Sequence, residues 1–336
     1  MIDDRYIGLA HGNGGRYMRE LIAGVFARHL ANPGLDTELD AAPMDLAREG
    51  VPFITTDGFI VQPLEFPGGS IGSLAVNGTV NDLAVCGAVP KFLSLNAFIE
   101  EGLEVATLDR IVRDLAQAAE TAGVAVLAGD TKVVPRGEGG GLYLATTGVG
   151  IRPRNCDYAL ERVQAGDRIL VSGPVGDHGV CVMLSRGEFD ISGDVVSDCA
   201  SVLPLAAAAA DVPGVRFMRD PTRGGLASVS CEVAASTGLT VRLREAAIPV
   251  RDPVGMVCEM LGYDPYYLAC EGRVVAFVAA DDSETLLAAW QGLEAGREAA
   301  IIGVVADDGD RVVLETELLG ERILEDLEED PLPRIC

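Results

Sequence analysis

The sequence predicts an α/β protein, in the broad sense that includes α+β folds, with two domains. Strand-like and helix-like segments alternate along most of the chain, which is typical of this class. The 336 residues suffice for two domains of about 150 residues each. Apolar residues make up 49% of the chain and charged residues 23%, as in ordinary globular proteins.

The first half contains three short apolar runs and two segments with helical spacing of apolar residues. The predicted strands are 52–56, 124–128 and 142–148. The predicted helices are 71–87 and 107–123. Thr107 is expected to cap the second of these helices and Gly123 to end it. Asp57 and the run Gly129-Asp130-Thr131-Lys132 are each expected to follow a strand directly.

The second half repeats this alternation after a polar segment, 152–167, which has no clear period and is expected to link the two halves. Strands are predicted at 168–172 and 274–279. A loop at 220–225 leads into a helix that begins near Leu226, and a further helix is predicted around 286–293.

The charge balance excludes one large class of partners. The chain carries 26 basic and 51 acidic side chains, which gives a formal net charge of −25. A field of that sign repels the phosphate backbone, so we expect no nucleic-acid partner. An anionic ligand such as a nucleotide would need a metal ion or a cluster of Lys and Arg side chains in its own site.

The sequence also predicts a cytoplasmic protein without a membrane-spanning segment. No apolar run reaches the roughly 18 residues that a membrane helix needs. The start, Met1-Ile2-Asp3-Asp4-Arg5, has no feature of a secretory signal. The eight cysteines form no CxxC pair and no Cys/His cluster, which indicates reduced thiols and argues against a zinc site.

Acidic residues beside glycine or other small residues predict a magnesium-dependent phosphate site. The five candidates, expected at the ends of strands or in loops, are Asp40, Asp57, Asp82, Asp130 and Asp220. Mg²⁺ prefers oxygen ligands and is commonly held by one or two carboxylates together with phosphate oxygens. Each aspartate alone is better explained as a turn or helix-cap residue, so the hypothesis depends on several of them converging.

Several other residues are candidates for phosphate contacts or proton transfer. The glycine-rich turn His11-Gly12-Asn13-Gly14-Gly15 could bind phosphate through its amides, although a plain turn explains it better. Lys132 and Arg223 could each pair with a phosphate oxygen, or could form ordinary surface ion pairs. Glu271 is a candidate base, whereas His178 is interpreted as a loop residue.

Cys336 places a thiol in a segment that contains Pro331 and Pro333, and both prolines favour extended geometry. From Asp330 to Cys336 such a segment reaches roughly 20 Å at about 3.3 Å per residue. The thiol could therefore visit an active site on its own chain and another on a partner. The alternative is an ordinary free cysteine without a role.

Several runs of the chain together carry a family resemblance. They are LAHG at 9–12, TTD at 55–57, FPGG at 66–69, GTVNDLA at 78–84, GDTKVV at 129–134, SGPVGDHG at 172–179 and RDPTRGG at 219–225. These runs are similar to the superfamily of aminoimidazole ribonucleotide synthetase, selenophosphate synthetase and thiamine monophosphate kinase. Within it, the run Pro333-Arg334-Ile335-Cys336 resembles the HypE family of hydrogenase maturation carbamoyl dehydratases. Asn13, Gly58 and Cys270 depart from that family's pattern, where Ser, Ser and Asn are usual.

The resemblance implies an enzyme that uses ATP and Mg²⁺ to dehydrate a carbamoyl group carried on the terminal cysteine. The S-carboxamide would become an S-cyanate, which supplies the cyanide ligand of nickel–iron hydrogenases. The predicted catalytic residues are Cys336, Lys132 and Glu271. The predicted nucleotide-binding residues are Gly14, Asn81, Asp82, Asp130, Thr131, Lys132 and Arg223. The predicted Mg²⁺ ligands are Asp40, Asp57, Asp82 and Asp220.

The same resemblance implies a PurM-like fold and a set of partners. Residues 1–155 would bind ATP and form a homodimer whose N-terminal sheets pair into a β-barrel. Residues 156–322 would form a C-terminal α/β domain, and residues 323–336 a mobile tail. The implied partners are the carbamoyltransferase HypF and the iron-carrying HypC–HypD complex.

Two other functions remain open from the sequence. One is an ATP-dependent kinase or synthetase of the same superfamily that acts on a free small molecule, in which case Cys336 would be dispensable. The other is a non-enzymatic maturation scaffold whose tail serves only for docking. In a scaffold the residues of the phosphate site would have no use, which counts against this alternative.

Overall fold

Strands and helices alternate along the chain, as the sequence predicts. The computed structural model describes residues 4–12, 16–35, 44, 50–187, 193–316, 320–327 and 335. The chain divides into two units. The first comprises Met1–Leu83, Ala88–Arg152 and Arg334–Cys336, and the second comprises Ala84–Gly87 and Pro153–Pro333. Within the described ranges, no helix is long and apolar enough to cross a membrane.

The part of the chain up to Arg152 contains one main sheet and two long helices. Its helical segments are a 3₁₀ turn (Leu9–Gly12), α1 (Arg16–Leu21), a π-helical turn (Ile22–Ala27), α2 (Arg28–Leu30), α3 (Ile71–Val85) and α4 (Val105–Ala122). Its strands are β1 (Val51–Phe59), β2 (Glu65–Phe66), β3 (Gly69–Ser70), β4 (Val89–Glu100), β5 (Ala125–Val134) and β6 (Leu142–Arg152).

The main sheet of this part has the strand order β1-β6-β4-β5. Only β4 and β5 run parallel, and the other neighbours are antiparallel. These four described strands form an open sheet and not a closed barrel. The helical spacing predicted for α4 is confirmed, because Leu108, Ile111 and Leu115 are buried on one face. Gly123 ends the helix with a φ of 67°, also as predicted.

Four local predictions are wrong. Helix α4 begins at Val105 with Glu104 as its N-cap, and therefore not at Thr107. Asp57 lies inside β1 and Asp130 inside β5, whereas both were expected to follow a strand. Asp82 lies inside α3. The strands continue past these polar residues because their neighbours pair along the whole length, and every second side chain of a strand can face solvent.

The part from Pro153 onward contains a larger sheet with helices on both sides. Its α-helices are α5 (Asp177–Arg186), α6 (Leu203–Ala210), α7 (Gly225–Thr237), α8 (Asp252–Leu261) and α9 (Ser283–Gln291). Its strands are β7 (Arg168–Val171), β8 (Val215–Arg219), β9 (Thr240–Arg244), β10 (Val275–Val278), β11 (Ala300–Ala306), β12 (Val312–Glu315) and β13 (Glu321–Leu324). Short 3₁₀ turns lie at Leu160–Arg162, Glu245–Ala247, Pro265–Tyr267, Ala280–Asp282 and Glu294–Gly296.

The seven strands are ordered β13-β12-β9-β11-β7-β10-β8, and only β12 and β9 run parallel. Successive residues of β7 enter two different cores, as the alternation of a strand requires. Ile169 and Val171 belong to the core that includes α7, whereas Leu170 belongs to the core that includes α6 and α9. The sheet is therefore covered on both faces, and the loop before α7 follows the edge strand β8.

Candidate active-site residues

A threonine of β1 orients one of the predicted carboxylates. Thr55 Oγ1 donates a hydrogen bond of 2.8 Å to Asp82 Oδ2 on α3. The helix lies close to the strand here, since a Cβ on Gly78 would be 2.8 Å from the Phe59 ring. Thr55, Asp57 and Phe59 share one face of β1 because alternate residues of a strand point the same way. Asp57 therefore lies on the face that α3 covers, beside the helical turn that carries Asp82.

Helix α3 is almost completely buried, and its polar side chains are held within the protein. Asn81 is only 1% exposed, and Thr79 is completely buried. The Thr79 hydroxyl forms a hydrogen bond with the hydroxyl of Thr146 on β6, which also donates to the Ala75 carbonyl at 3.3 Å. These contacts fix the rotation of the helix about its axis, and with it the direction of Asp82.

Asp130 and Lys132 form a local pair on β5. Lys132 Nζ lies 2.7 Å from Asp130 Oδ2, and the Thr131 amide donates to Asp130 Oδ1 at 2.9 Å. The hydrogen bond from Lys132 is the main reason why the pKa of Asp130 is lowered. Asp130 and Lys132 share an exposed face of the strand, whereas Thr131 is buried on the other face. The ammonium group is therefore available to an anion from solvent.

The sheet does not bring all the predicted phosphate-site residues together. Asp57 lies on β1 and Asp130 on β5, at opposite edges of four strands. Three strand spacings of about 4.8 Å separate these edges by roughly 14 Å. Among the described residues, no group of three or more His, Cys, Asp and Glu side chains could hold a metal ion. Asp40 and Gly14, also predicted for this site, lie outside the described residues.

In the second unit, two of the motif runs meet at the loop that carries Glu271. The Cys270 amide donates to the Pro221 carbonyl of RDPTRGG at 3.0 Å. The Gly179 amide of SGPVGDHG donates to the Ala269 carbonyl at 3.1 Å, and the Gly176 amide donates to Cys270 Sγ at 3.3 Å. The two motif runs, at 172–179 and 219–225, are thus both joined to this loop by direct hydrogen bonds.

Glu271 is 3% exposed, so this candidate base is buried. Its neighbour Cys270, one of the departures from the family pattern, is also completely buried. Burial raises the pKa of the Cys270 thiol well above its usual value, so the sulfur stays protonated. Cys270 accepts the Gly176 amide and donates to the Leu268 carbonyl at 3.7 Å. It therefore acts as a structural residue and adds no second nucleophile.

Two buried carboxylates and two arginines lie beside this loop. Arg273 contacts Asp177 Oδ2 and Asp198 Oδ2, both at 3.4 Å, and Arg251 Nε lies 3.0 Å from Asp177 Oδ2. Burial, followed by the charge of Asp198, raises the pKa of Asp177 to about 6. Sequence reasoning missed Asp198 and Arg273. Asp177 was part of a recognised run, but no local motif marks Asp198.

The interpretation of His178 as a loop residue is wrong. His178 lies in the first turn of α5 and is completely buried. Its Nδ1 lies 2.8 Å from Ser197 Oγ, and that hydroxyl also accepts the Cys199 amide at 3.0 Å. The helix begins here because Gly176 adopts a φ of 85°, which favours glycine and turns the chain into α5.

Asp220 and Arg223 line a cavity of about 690 Å³ next to the N-terminus of α7. Asp220 lies in the loop that was predicted before α7 and directly follows β8, and Arg223 lies two residues before the helix. The last described strand forms another wall of the cavity. Beyond it, Tyr267 Oη donates to the Glu325 carbonyl at 2.8 Å, and Ser228 Oγ lies 3.3 Å from Asp326 Oδ1. The start of the predicted tail is thus bound beside the RDPTRGG loop.

Cys336 lies outside the described residues. Its neighbour Ile335 is described, is 3% exposed, and groups with the first unit.

Comparison with known proteins places this geometry in a family. Residues 38–152 match the N-terminal domain of AIR synthase related proteins, and residues 164–315 match the C-terminal domain. The chain is 46% identical to a carbamoyl dehydratase HypE of Azotobacter vinelandii, over 98% of this chain and 97% of that protein.

Solved structures give the same result. A crystal structure of a hydrogenase maturation protein HypE in complex with ATP superposes with a TM-score of 0.93 at 41% identity, covering 98% of this chain and 99% of that one. A HypE chain from a HypE–HypF complex has a TM-score of 0.80 at 39% identity, covering 91% and 99%.

The fold and the two matched domains define an AIR synthase related protein, with the mixed α/β, PurM-like architecture that the sequence predicts. Within that class, the chain belongs to the HypE family of carbamoyl dehydratases.

Proposed function

We propose that this protein is a hydrogenase maturation factor that uses ATP to dehydrate a carbamoyl group carried on Cys336. The observation that carries the proposal is the 46% identity to a carbamoyl dehydratase over 98% of this chain. The similarity to a HypE bound to ATP, at a TM-score of 0.93, supports the use of this nucleotide. The run Pro333-Arg334-Ile335-Cys336 supplies the thiol.

The chemistry requires that an amide oxygen become a leaving group. The oxygen of the S-carboxamide attacks the terminal phosphorus of ATP, ADP leaves, and one proton of the amide nitrogen is released. The resulting S-bound imidate phosphate then loses its second N–H proton while the C–O bond breaks. The products are the S-cyanate, ADP, inorganic phosphate, which keeps the amide oxygen, and one proton.

Lys132 is the residue of the first unit that we assign to the transferred phosphate. Its ammonium is half exposed and already lies beside the Asp130 carboxylate, so a phosphate oxygen can reach it from solvent. Thr131 and Asn81 contribute to nucleotide binding in this proposal, together with Gly14 from the N-terminal turn. Thr131 would do so through its backbone, because its side chain is buried.

Asp57 and Asp82 fit a magnesium ion, with oxygen donors on a strand and a helix that pack together. The ion would offset negative charge on the phosphates during transfer. Asp40 and Asp220 are further candidate ligands of the magnesium ion in this proposal. Two protein carboxylates suffice where phosphate oxygens fill the other positions.

In the second unit we assign proton removal from the imidate nitrogen to Glu271, and a phosphate contact to Arg223. Burial suits Glu271 for this role, because a carboxylate shielded from water interacts more strongly with a reacting proton. Cys336 is the attachment point of the substrate and not the attacking group. A tethered substrate can be presented to more than one site at high effective concentration.

The partners follow from the same relationship. We propose HypF as the carbamoyl donor, since a relative at 39% identity forms a HypE–HypF complex. We further propose a homodimer in which the open N-terminal sheets pair. The strand β1 supports this arrangement, because Ile54 on it is 74% exposed. The HypC–HypD complex would accept the cyano group.

The test follows the mass of the C-terminal peptide. The protein is incubated with carbamoyl phosphate, ATP, Mg²⁺ and the carbamoyltransferase, and then digested and weighed. We expect the peptide to gain one carbamoyl group and then, only with ATP, to lose one water. Cys336→Ser should abolish both changes, while Cys86→Ser, at an exposed cysteine outside the tail, should leave them intact.

Two results would refute the proposal. One is a peptide whose mass never changes, as expected of a scaffold. The other is ATP turnover that is unaffected by Cys336→Ser, as expected of a kinase acting on a free small molecule.

A further inference from the structure

The buried carboxylate of Asp198 holds the backbone of the loop that carries Glu271. Asp198 Oδ1 accepts the Glu271 amide at 3.1 Å, and Asp198 Oδ2 accepts the Gly272 amide at 3.3 Å. The side chain of Asp198 is only 1% exposed. Burying a carboxylate is unfavourable unless hydrogen bonds and opposite charge compensate for the lost hydration. The buried Asp198 carboxylate therefore needs such partners.

The compensation comes from one arginine and two amides. Arg273 Nε lies 3.4 Å from Asp198 Oδ2 and also donates to the Pro174 carbonyl at 2.9 Å. The backbone at Gly272 and the backbone at Asp198 are in close contact, since a Cβ on Gly272 would lie 1.9 Å from the Asp198 carbonyl oxygen. The backbone at Asp198 can therefore lie this close to the Glu271 loop only because residue 272 is a glycine.

The neighbouring residues show why Asp198 controls this part of the loop. On one side, the Cys270 amide is bonded to the Pro221 carbonyl, and on the other, the Val274 amide is bonded to Ser172 Oγ at 2.9 Å. Between these points Glu271 and Gly272 lie outside any strand, since β10 begins at Val275. Their amides both point at the Asp198 carboxylate. The direction of the Glu271 side chain therefore depends on it.

We infer that Asp198 is a positioning residue for the dehydration step, which acts by holding the Glu271 peptide in the orientation that the base requires. This inference rests on the proposed function, in which Glu271 removes a proton from the imidate. Asp198 itself makes no contact with substrate in this role. A loss of orientation should lower the rate of the chemical step and leave the binding of ATP unchanged.

The first measurement separates kcat from KM. Asp198→Asn keeps the size of the side chain but removes its charge and one of its two acceptor oxygens. We expect kcat for dehydration of carbamoylated protein to fall about 10- to 100-fold, because small misplacements of a reacting group are costly. The KM for ATP should change less than about twofold, and carbamoylation of Cys336 should proceed normally. Asp194→Asn, at an exposed carboxylate four residues earlier, is the matched control and should keep wild-type kcat.

The second measurement is a double-mutant cycle with Glu271→Gln. If Asp198 acts through Glu271, then Asp198→Asn should have no further effect on kcat once Glu271 is replaced. If the two substitutions lower kcat by fully multiplicative factors, the inference is overturned. It is also overturned if Glu271→Gln abolishes turnover while Asp198→Asn leaves kcat unchanged. A Glu271→Gln variant with normal dehydration would overturn both the inference and the assigned base. It would leave the carbamoyl transfer to Cys336 untouched.

Amide hydrogen exchange tests the geometry in the wild-type protein, even where Asp198→Asn does not fold. The Glu271 and Gly272 amides should be protected in wild type, although they lie outside regular secondary structure. Rapid exchange of both would overturn the inference.

Discussion

The two units hold their charged candidate residues in opposite ways. In the first unit, Asp130 and Lys132 pair on the surface, with 51% and 55% of their side chains exposed. In the second, Asp198 and Arg273 pair inside the protein, with 1% and 11% exposed. Water screens the first pair and leaves it free to exchange partners for a ligand. It is excluded from the second, which therefore fixes local structure.

This difference predicts how function and stability respond to mutation. A surface pair contributes little to stability, so changes in the first unit should affect activity almost alone. A buried network leaves an uncompensated charge when one member is removed, so changes in the second unit should affect stability as well. The following variants test this contrast.

The largest loss of stability is expected for Arg273→Ala. The substitution leaves the carboxylates of Asp177 and Asp198 buried with less compensating charge, and we expect a cost of about 3–5 kcal/mol in urea unfolding. Arg168→Ala, at the exposed first residue of β7, is the control and should cost less than about 0.5 kcal/mol. Equal costs for the two variants would mean that the buried network contributes no more to stability than an exposed residue of the same unit.

Lys132→Ala should give the opposite result. Its half-exposed ion pair with Asp130 predicts a change of less than about 1 kcal/mol in the free energy of unfolding. The dehydration rate should fall about 10²- to 10³-fold, because an electrostatic contact with the transferred phosphate is lost. Lys91→Ala, at another exposed lysine of the same sheet, should retain the rate. A Lys132→Ala protein that is unstable but as active as wild type would contradict the assignment.

Asp177 should make the second unit sensitive to pH. Its pKa is raised from 3.8 to about 6 in the folded protein, mainly by burial and also by the like charge of Asp198. The nearby Arg251 and Arg273 lower the pKa, but by less. The protonated form is therefore the one that folding favours. Its contribution to stability is complete below about pH 3.8 and is lost as the pH rises through about 6.

Comparison with Asp177→Asn isolates this effect. Between pH 4 and pH 7, wild type should lose up to about 3 kcal/mol of unfolding free energy relative to the variant, which cannot titrate. Urea unfolding at several pH values measures the difference. A difference that stays flat, or that grows in favour of wild type with rising pH, would contradict the buried environment assigned to Asp177.

The sequence was a good guide to which segments form strands and helices, and a poorer guide to where they end. The apolar spacing of α4 and the stop at Gly123 depend on neighbours in the sequence, so they could be predicted. The extension of β1 through Asp57 depends on nine paired residues of β6, which are distant in sequence. The end of such a strand is therefore set by its pairing with a distant strand and not by the local preference of its residues.

The same distinction applies to the candidate sites. The runs GDTKVV and RDPTRGG are visible in the sequence because their chemistry is concentrated in a few adjacent residues. Asp198 is not visible, because its partners Glu271 and Gly272 are more than 70 residues away. Positioning residues are defined by folded geometry, and a single sequence carries little local signal of them.

The smallest effect is expected at Thr55, which orients a carboxylate in the first unit as Asp198 orients a loop in the second. Thr55→Val keeps the branched side chain that suits a strand but removes the hydrogen bond to Asp82. We expect a loss of about 1 kcal/mol of stability and an ATP affinity about two- to tenfold weaker, measured by calorimetry.

Thr56→Val is the matched control for this change. It removes the bond from Thr56 Oγ1 to the Thr146 carbonyl, at 3.1 Å, on the opposite face of the same strand. Its stability cost should be similar, but ATP affinity should stay at the wild-type value because Asp82 is untouched. Equal losses of affinity in both variants would mean that β1 acts only as a scaffold. An affinity that falls with Thr55→Val alone would show that the first unit also positions its carboxylates through a neighbour, with a smaller effect because water reaches the site.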